Sequence, residues 1–257
     1  MNKRVVLLKG MLGKSFALLK RYGVNTLARV FTLYFLFLLM FFGGRAVAGP
    51  ALTGSTEGLV IGFFLFTMTV ISFSGIAQNL NQEAQWGTLE QLSMTPFGLH
   101  EIVSYKAAIN LFWSVVWGSL ILVATVVTTG TSLQLPVVTV LVVGILGLVS
   151  VVGVGIALAG LVLLYKRIEG LFQLLNFAFV GLIAAPVESV PAVKILPVTL
   201  ASHLIQRAMK QGTNLWDMET LNLALLVAVA VAYFAIGHFV FYLCYRRARR
   251  LDVIGDY

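Results

Sequence analysis

An all-α integral membrane fold is predicted by three properties of this 257-residue sequence: its apolar content, the length of its apolar runs, and the placing of basic residues between them. Hydrophobic residues make up 59% of the chain and charged residues 11%, against about 25% charged in ordinary soluble domains. Mean hydropathy is +0.95. A helix needs about 20 apolar residues to cross a hydrocarbon core of about 30 Å. Six runs are read as membrane helices, at roughly 24–42, 59–76, 107–127, 137–164, 171–185 and 221–245. They lack the polar/apolar alternation of barrel strands. Because they consume most of the chain, residues 1–257 are read as a single membrane domain with no room for a separate soluble one.

The element before the first span, residues 1–22, is amphipathic. Val5, Leu8, Leu12, Phe16 and Leu19 recur at helical spacing, whereas Lys3, Lys9, Lys14, Lys20 and Arg21 fall off that stripe. Such a helix lies in the membrane surface. The basic region from Lys3 to Arg29 precedes the first long apolar run without a small-residue cleavage signature, so that run is taken as a permanent span. The fourth run is rich in Gly144, Gly147, Gly153, Gly155, Ala157, Ala159 and Gly160, residues that let helices approach closely in membranes. The fifth run is short and ends at Pro186, and Pro191 and Pro197 follow before helical spacing resumes at 198–209. Proline breaks the backbone ladder, and broken backbone at membrane depth is tolerated only inside protein or beside a wet cavity. Residues 186–212 are therefore expected to form a broken, re-entrant outer segment, with a surface-lying loop as the alternative.

Orientation follows from the basic residues. With six spans both termini share a side, and that side receives fourteen of the eighteen Lys and Arg, leaving Arg45, Lys194, Arg207 and Lys210 on the other. An excess of Lys and Arg marks the cytoplasmic face. The expectation is a multi-pass protein of the cell membrane with both termini cytoplasmic. Its +8 formal charge is accounted for by this topology and by anionic lipid, with no call for nucleic acid.

Several chemistries are excluded. Gly10, Gly13, Lys14 and Ser15 imitate a phosphate loop, but the first glycine of that motif would have to stand at Leu8, and the context is helical. His100 and Glu101 imitate a zinc-protease helix, yet the second histidine would be needed where Ser104 stands. His203 and His238 lie in other segments, and the lone Cys244 reads as a small apolar residue of the last span. No catalytic, cofactor-binding or metal-ligating residues are expected. Thr67, Ser72, Asn110, Ser114, Gln173 and Asn176 are candidates to line a translocation route. The absence of an intramembrane Asp/Glu pair argues against proton coupling.

Between the second and third runs lies a polar island, Glu83-x3-Gly87-Thr88-Leu89-Glu90-Gln91-Leu92-x2-Thr95-Pro96. It resembles the signature of permease subunits of type-2 ATP-binding-cassette exporters. Pro191, Pro197, Thr199 and Arg207 resemble that family's outer proline-rich segment. Together with the interfacial helix and six spans, the likeness covers essentially the whole chain. The chain departs from the family pattern at Ala84 and Gln85, where a basic residue is common, and at Val198, where leucine is common. These departures bear on substrate subgroup.

The resemblance implies that residues 82–98 are a cytoplasmic coupling helix docking into a separate ATPase subunit through Glu83, Gly87, Thr88, Leu89, Glu90, Leu92, Thr95 and Pro96. Leu89 and Leu92 would fill an apolar notch, and Glu83 and Glu90 would meet cations of the partner. ATP and Mg would then reside on that partner, and a second permease copy or paralogue would complete a dimer. The chain itself would be no enzyme. The cargo would be an amphipathic or lipid-like solute such as a drug, antibiotic, lipid or glycan. An ion-coupled secondary transporter, which would show charged midplane residues and internal repeats, and a non-transporting scaffold are the rival readings.

Overall fold

The computed structural model describes residues 3–48, 56–85, 98–165 and 168–251. Among them the chain is helical, without a strand. Helix α1 (Lys3–Arg21) is followed after Tyr22 by α2 (Gly23–Ala48), and then come α3 (Thr56–Gln85), α4 (Gly98–Thr129) and α5 (Val137–Leu164). Helix α6 (Glu169–Ile183), a 3-10 turn (Pro191–Ile195), α7 (Thr199–Gln211), a second 3-10 turn (Leu215–Asp217) and α8 (Thr220–Arg250) complete it.

Five of these helices, α2, α3, α4, α5 and α8, are long and apolar enough to cross a membrane, which makes the chain a multi-pass membrane protein of the all-α class. The stretch read from sequence as a fifth of six spans forms α6, only 15 residues long. At 1.5 Å per residue it rises about 22 Å, short of a hydrocarbon core of about 30 Å. Helices α3 and α4, at 30 and 32 residues, exceed the requirement by about ten residues each. Their hairpin is therefore long enough to cross the hydrocarbon tilted or to extend past it.

Helix α5 is the centre of the bundle, and its small residues explain why. A Cβ at Gly153 would overlap the Tyr233 carbonyl of α8, and one at Gly237 of α8 would overlap the Gly153 carbonyl. A Cβ at Gly160 would come within 2.8 Å of the Phe241 backbone. The two helices thus touch backbone to backbone, a contact that any larger side chain would prevent. On another side of α5, a Cβ at Gly155 would come within 3.0 Å of the Phe73 carbonyl of α3, and one at Gly147 would overlap Ala201 of α7. Phe73, fully buried, meets Phe172 and Phe179 of α6 at ring separations of 5.9 and 5.0 Å. The expectation that the small residues of this run serve close packing holds for Gly147, Gly153, Gly155 and Gly160, and Gly144 lies against Ile205 at an ordinary 3.7 Å.

The outer segment consists of two short helical pieces, the turn at Pro191–Ile195 and α7. One face of α7 is buried through Leu200, Leu204, Ile205, Ala208 and Met209. Pro197 precedes Val198, which caps α7 with φ +63°. A β-branched residue in the left-handed region is a genuine outlier. It persists because its N–H donates to Ser150 Oγ at 3.1 Å, while that hydroxyl donates to the Gly147 carbonyl at 2.6 Å. Strain and anchor lie in one place, so they are separable by mutation. Ala and Gly at 198 forfeit similar burial, but Gly relieves the left-handed strain, worth about 1–2 kcal/mol. Val198→Gly is expected to melt above Val198→Ala in detergent, the relieved strain adding to the ordinary preference for glycine over alanine at a helix N-cap. A Gly variant less stable than the Ala variant would show the position to be unstrained.

Candidate functional site

The end of the α3–α4 hairpin next to the polar island carries the main charged constellation among the described residues. Glu83, in the last turn of α3, is buried. Its Oε1 lies 2.6 Å from Lys106 Nζ of α4 and accepts a hydrogen bond from Lys14 Nζ of α1 at 3.1 Å. A carboxylate withdrawn from water is tolerable only when paired. Here two cations from two other helices provide the pairing. The lysines are not equivalent: the Lys106 side chain is 14% exposed and the Lys14 side chain 55%.

Helix α1 is thereby fastened to the hairpin, and Phe16 adds an edge-on contact with Trp113 at 5.2 Å. Between them lies a cleft of about 440 Å³ lined by Met11, Lys14, Glu83, Lys106, Asn110 and Trp113 among others. The face of α1 turned to it carries Leu7, Met11, Lys14 and Leu18. This differs from the stripe read in the sequence, of which Val5 and Phe16 are about half exposed. The apolar surface of α1 is therefore wide: Leu7 and Met11 line the cleft, Leu8, Leu12 and Leu19 of the stripe are half-buried as well, and Phe16 meets Trp113.

Gly10 to Ser15 lie inside the continuous helix α1, and Lys14 is bonded to Glu83. Such a segment has no loop to wrap a phosphate. Ser104, standing where a zinc-protease histidine would be, bonds instead to His238 Nε2 at 2.8 Å and donates to the His100 carbonyl at 3.0 Å. His238 Nδ1 lies 3.1 Å from the Phe234 carbonyl. The third histidine, His203, sits 3.9 Å from Glu188 beside an outer cleft of about 580 Å³.

Of the expected docking residues, Glu83 alone is described. It faces Lys14 and Lys106 of its own chain, where the sequence reading gave it a partner's cation. Gly87, Thr88, Leu89, Glu90, Leu92, Thr95 and Pro96 lie outside the described residues. The expected route residues are not gathered into one channel. Thr67, Ser72 and Ser114 are fully buried. Thr67 donates to the Phe63 carbonyl at 2.9 Å and Ser114 to the Leu111 carbonyl at 2.7 Å, the local back-bonding by which helical hydroxyls satisfy themselves. Gln173 is exposed and Asn176 half-buried on α6.

Asn110 is different. Its amide donates to the carbonyls of Ile71 and Ser72 at 3.0 and 2.7 Å, and Gly75 leaves the space it occupies. It lines both the cleft under α1 and a second one between α2, α3 and α4. In the outer segment, Pro191 opens the 3-10 turn, Thr199 is buried with its hydroxyl donating to the Pro197 carbonyl at 3.3 Å, and Arg207 is exposed and donates to Gln211 at 3.3 Å.

Sequence reasoning missed Lys106 as a partner of Glu83. The available signal was an isolated lysine nine residues into a helix that follows the acidic end of its neighbour. No protein-family model, curated protein or solved structure matches this chain.

The burial difference between the two lysines sets an expected order of stability losses. Lys106→Met leaves a buried carboxylate with only a water-exposed partner and should cost about 3 kcal/mol. Lys14→Met should cost at most about 1 kcal/mol, as for exposed pairs. The double variant Glu83→Gln/Lys106→Met should recover part of the loss, because no buried charge then stands alone. Denaturant unfolding in detergent measures all three. Equal losses for the two lysines would contradict the assignment of Lys106 as the principal partner.

Proposed function

We propose that this chain is the membrane-spanning subunit of a type-2 ATP-binding-cassette exporter, which couples ATP hydrolysis by a separate subunit to efflux of an amphipathic or lipid-like solute. The observation that carries this reading is the junction of the polar island with the buried cluster. Glu83, the first residue of the exporter-like signature, is held by Lys106 and Lys14. A docked island therefore pulls on α3, α4 and α1 together. Packed elements of this kind move as units between discrete arrangements, which suits a lever driven by a partner.

In this reading α6 completes a sixth crossing despite its length, by local thinning of the bilayer and by the shoulder that α7 gives it. Ser202 Oγ of α7 donates to the Ile183 carbonyl at the end of α6 at 2.7 Å, so one orphaned helix-end acceptor is satisfied within protein. Gly144 and Gly147, against which α7 packs, lie about 10–15 Å along α5 from its start. That depth fits a re-entrant outer segment. Both termini are cytoplasmic, ATP and Mg belong to the partner, and this chain has no bond-making chemistry of its own. A second copy or paralogue packs on apolar faces such as those of α2 and α8, where Leu27, Phe31, Val231 and Phe239 are exposed.

Topology is tested by cysteine labelling in a Cys244→Ala background. Ser55→Cys should react with an impermeant reagent from outside intact cells and Ser93→Cys should be protected. The opposite pattern would put the island on the wrong side for an ATPase.

Docking is tested by Leu89→Asp. Losing a buried leucine forfeits about 1.5–3 kcal/mol, and an unpaired charge in the notch costs several more. At ~1.4 kcal/mol per tenfold, that releases a micromolar partner. The variant should insert normally, yet an ATPase bearing Walker motifs that co-purifies with the wild type should be lost, along with substrate-stimulated hydrolysis. Co-purification and transport at wild-type levels would remove the coupling role of the island.

A further inference from the structure

Helix α2 leans on α3 and α4 so as to leave a wedge between them, a cleft of about 590 Å³, within the range of small-molecule sites of about 300–1,000 Å³. The lining grades from mostly polar to more apolar along its length, and the Ser74 hydroxyl and Asn110 amide in the deeper part are already bonded to α3 carbonyls. Toward α1 it carries the Arg29 guanidinium and the amides of Asn25, Gln78 and Gln82. Deeper, it is walled by Leu33, Val70, Ile71 and the Trp117 indole.

The polar end is unspent. Among the described residues, the side chains of Arg29, Asn25, Gln78 and Gln82 form no hydrogen bond or ion pair with the rest of the chain, and no carboxylate lines the cleft. The nearest acid along α3, Glu83, is already held by two lysines. Arg29 is exposed within the wedge but does not stand at the helix tip. It is the seventh residue of α2, about 9 Å along the axis from Gly23, at a level matching Gln78, about 10 Å from the end of α3. A guanidinium offers five donors in a fork that fits phosphate and carboxylate oxygens, and three free amides beside it supply further donors and acceptors.

We propose that this wedge binds the anionic, phosphate-bearing headgroup of an amphiphile that enters sideways from the leaflet in which α1 lies. Arg29 anchors the charge, Asn25, Gln78 and Gln82 bond the headgroup oxygens, and the chain lies along Leu33 and Val70 over Trp117. The assignment needs only insertion of the chain in a bilayer. It stands whether or not an ATPase partner exists, so its failure leaves the exporter reading untouched and the converse holds as well.

The test uses Trp117 as reporter in the full chain reconstituted into phosphatidylcholine vesicles, with Trp117→Phe subtracted to isolate its emission. Brominated phosphatidylglycerol should half-quench that emission at about a tenfold lower mole fraction than brominated phosphatidylcholine, the discrimination expected of a charge-assisted contact. Arg29→Ala should abolish the preference. Lys20→Ala, which removes an equal charge from α1 outside the wedge, should keep it and so exclude a diffuse basic surface. Arg29 makes no bond within the chain, so its variant should melt as the wild type does; if it fails to fold, Gln78→Leu/Gln82→Leu gives the same reading through the amides and should narrow the preference. Inorganic phosphate should not reverse the quenching. Superimposable curves for the two lipids in the wild type, an undiminished preference in Arg29→Ala, or reversal by inorganic phosphate would each overturn the proposal.

Discussion

The close backbone approach of α5 to its neighbours is the constraint on which the rest of the fold depends. In lipid no hydrophobic force drives helix against helix, because a leucine is as well solvated by acyl chains as by another leucine. Association then rests on dispersion contacts, which fall off steeply with even a small gap. Helix α5 meets this demand by omitting side chains. Gly153 and Gly160 bring α8 to backbone distance, Gly155 does the same for α3, and Gly147 admits Ala201 of α7. Once three elements are fixed to one rod, the others are positioned by ordinary side-chain packing, as α6 is through Phe172 and Phe179 on Phe73.

A different kind of contact governs the end of the hairpin nearest the island. Where α3 and α4 outrun the span length, polar pairing replaces small-residue packing, and Glu83 joins three helices at one carboxylate oxygen. The two modes divide the molecule mechanically. Backbone-to-backbone contacts resist change because any displacement opens a void. The pairing of Lys14, more than half exposed, exchanges readily with water. Helix α1 is thus the part of this cluster most easily released, while Lys106 keeps α3 and α4 together.

The helices themselves were legible because apolar runs bounded by charge are the least ambiguous signal a sequence carries. The packing role of Gly153 and Gly160 was legible for the same reason, since the default use of small residues in a membrane helix is close approach. Three features were not. The inward face of α1 could not be chosen, because Leu7, Met11 and Leu18 are as apolar as the stripe of Leu8, Leu12 and Leu19, and only the neighbouring helix decides between them. The Glu83–Lys106 pair joins residues from separate helices, a distance in sequence that local spacing does not encode. Val198 was noted only for standing where leucine is common, while its left-handed backbone is imposed by Ser150, 48 positions earlier. Asn110 was seen as a route residue on polarity alone; its place between two clefts depends on Gly75, which leaves room for its amide to bind α3.

The same logic explains why a polar wedge occurs beside α2 in particular. Only 11% of its most apolar window is buried, against 61% for α3. It is held by Phe37 tilted against Phe63 at a ring separation of 5.2 Å and by the Tyr34 hydroxyl bonded to Thr128. Both contacts lie farther along the helix than Arg29, and nearer to it only Val30 and Leu33 pack, partly buried, against the core among the described residues. An α2 packed tightly along its whole length would have had to bury Arg29 against Gln78 and Gln82 without a counter-charge, at a desolvation cost of several kcal/mol. Leaving the wedge open keeps those groups solvated. The cluster at the hairpin end and the wedge lie on either side of the α1–α2 junction at Tyr22, whose N–H donates to the Leu18 carbonyl and whose carbonyl accepts from the Thr26 N–H.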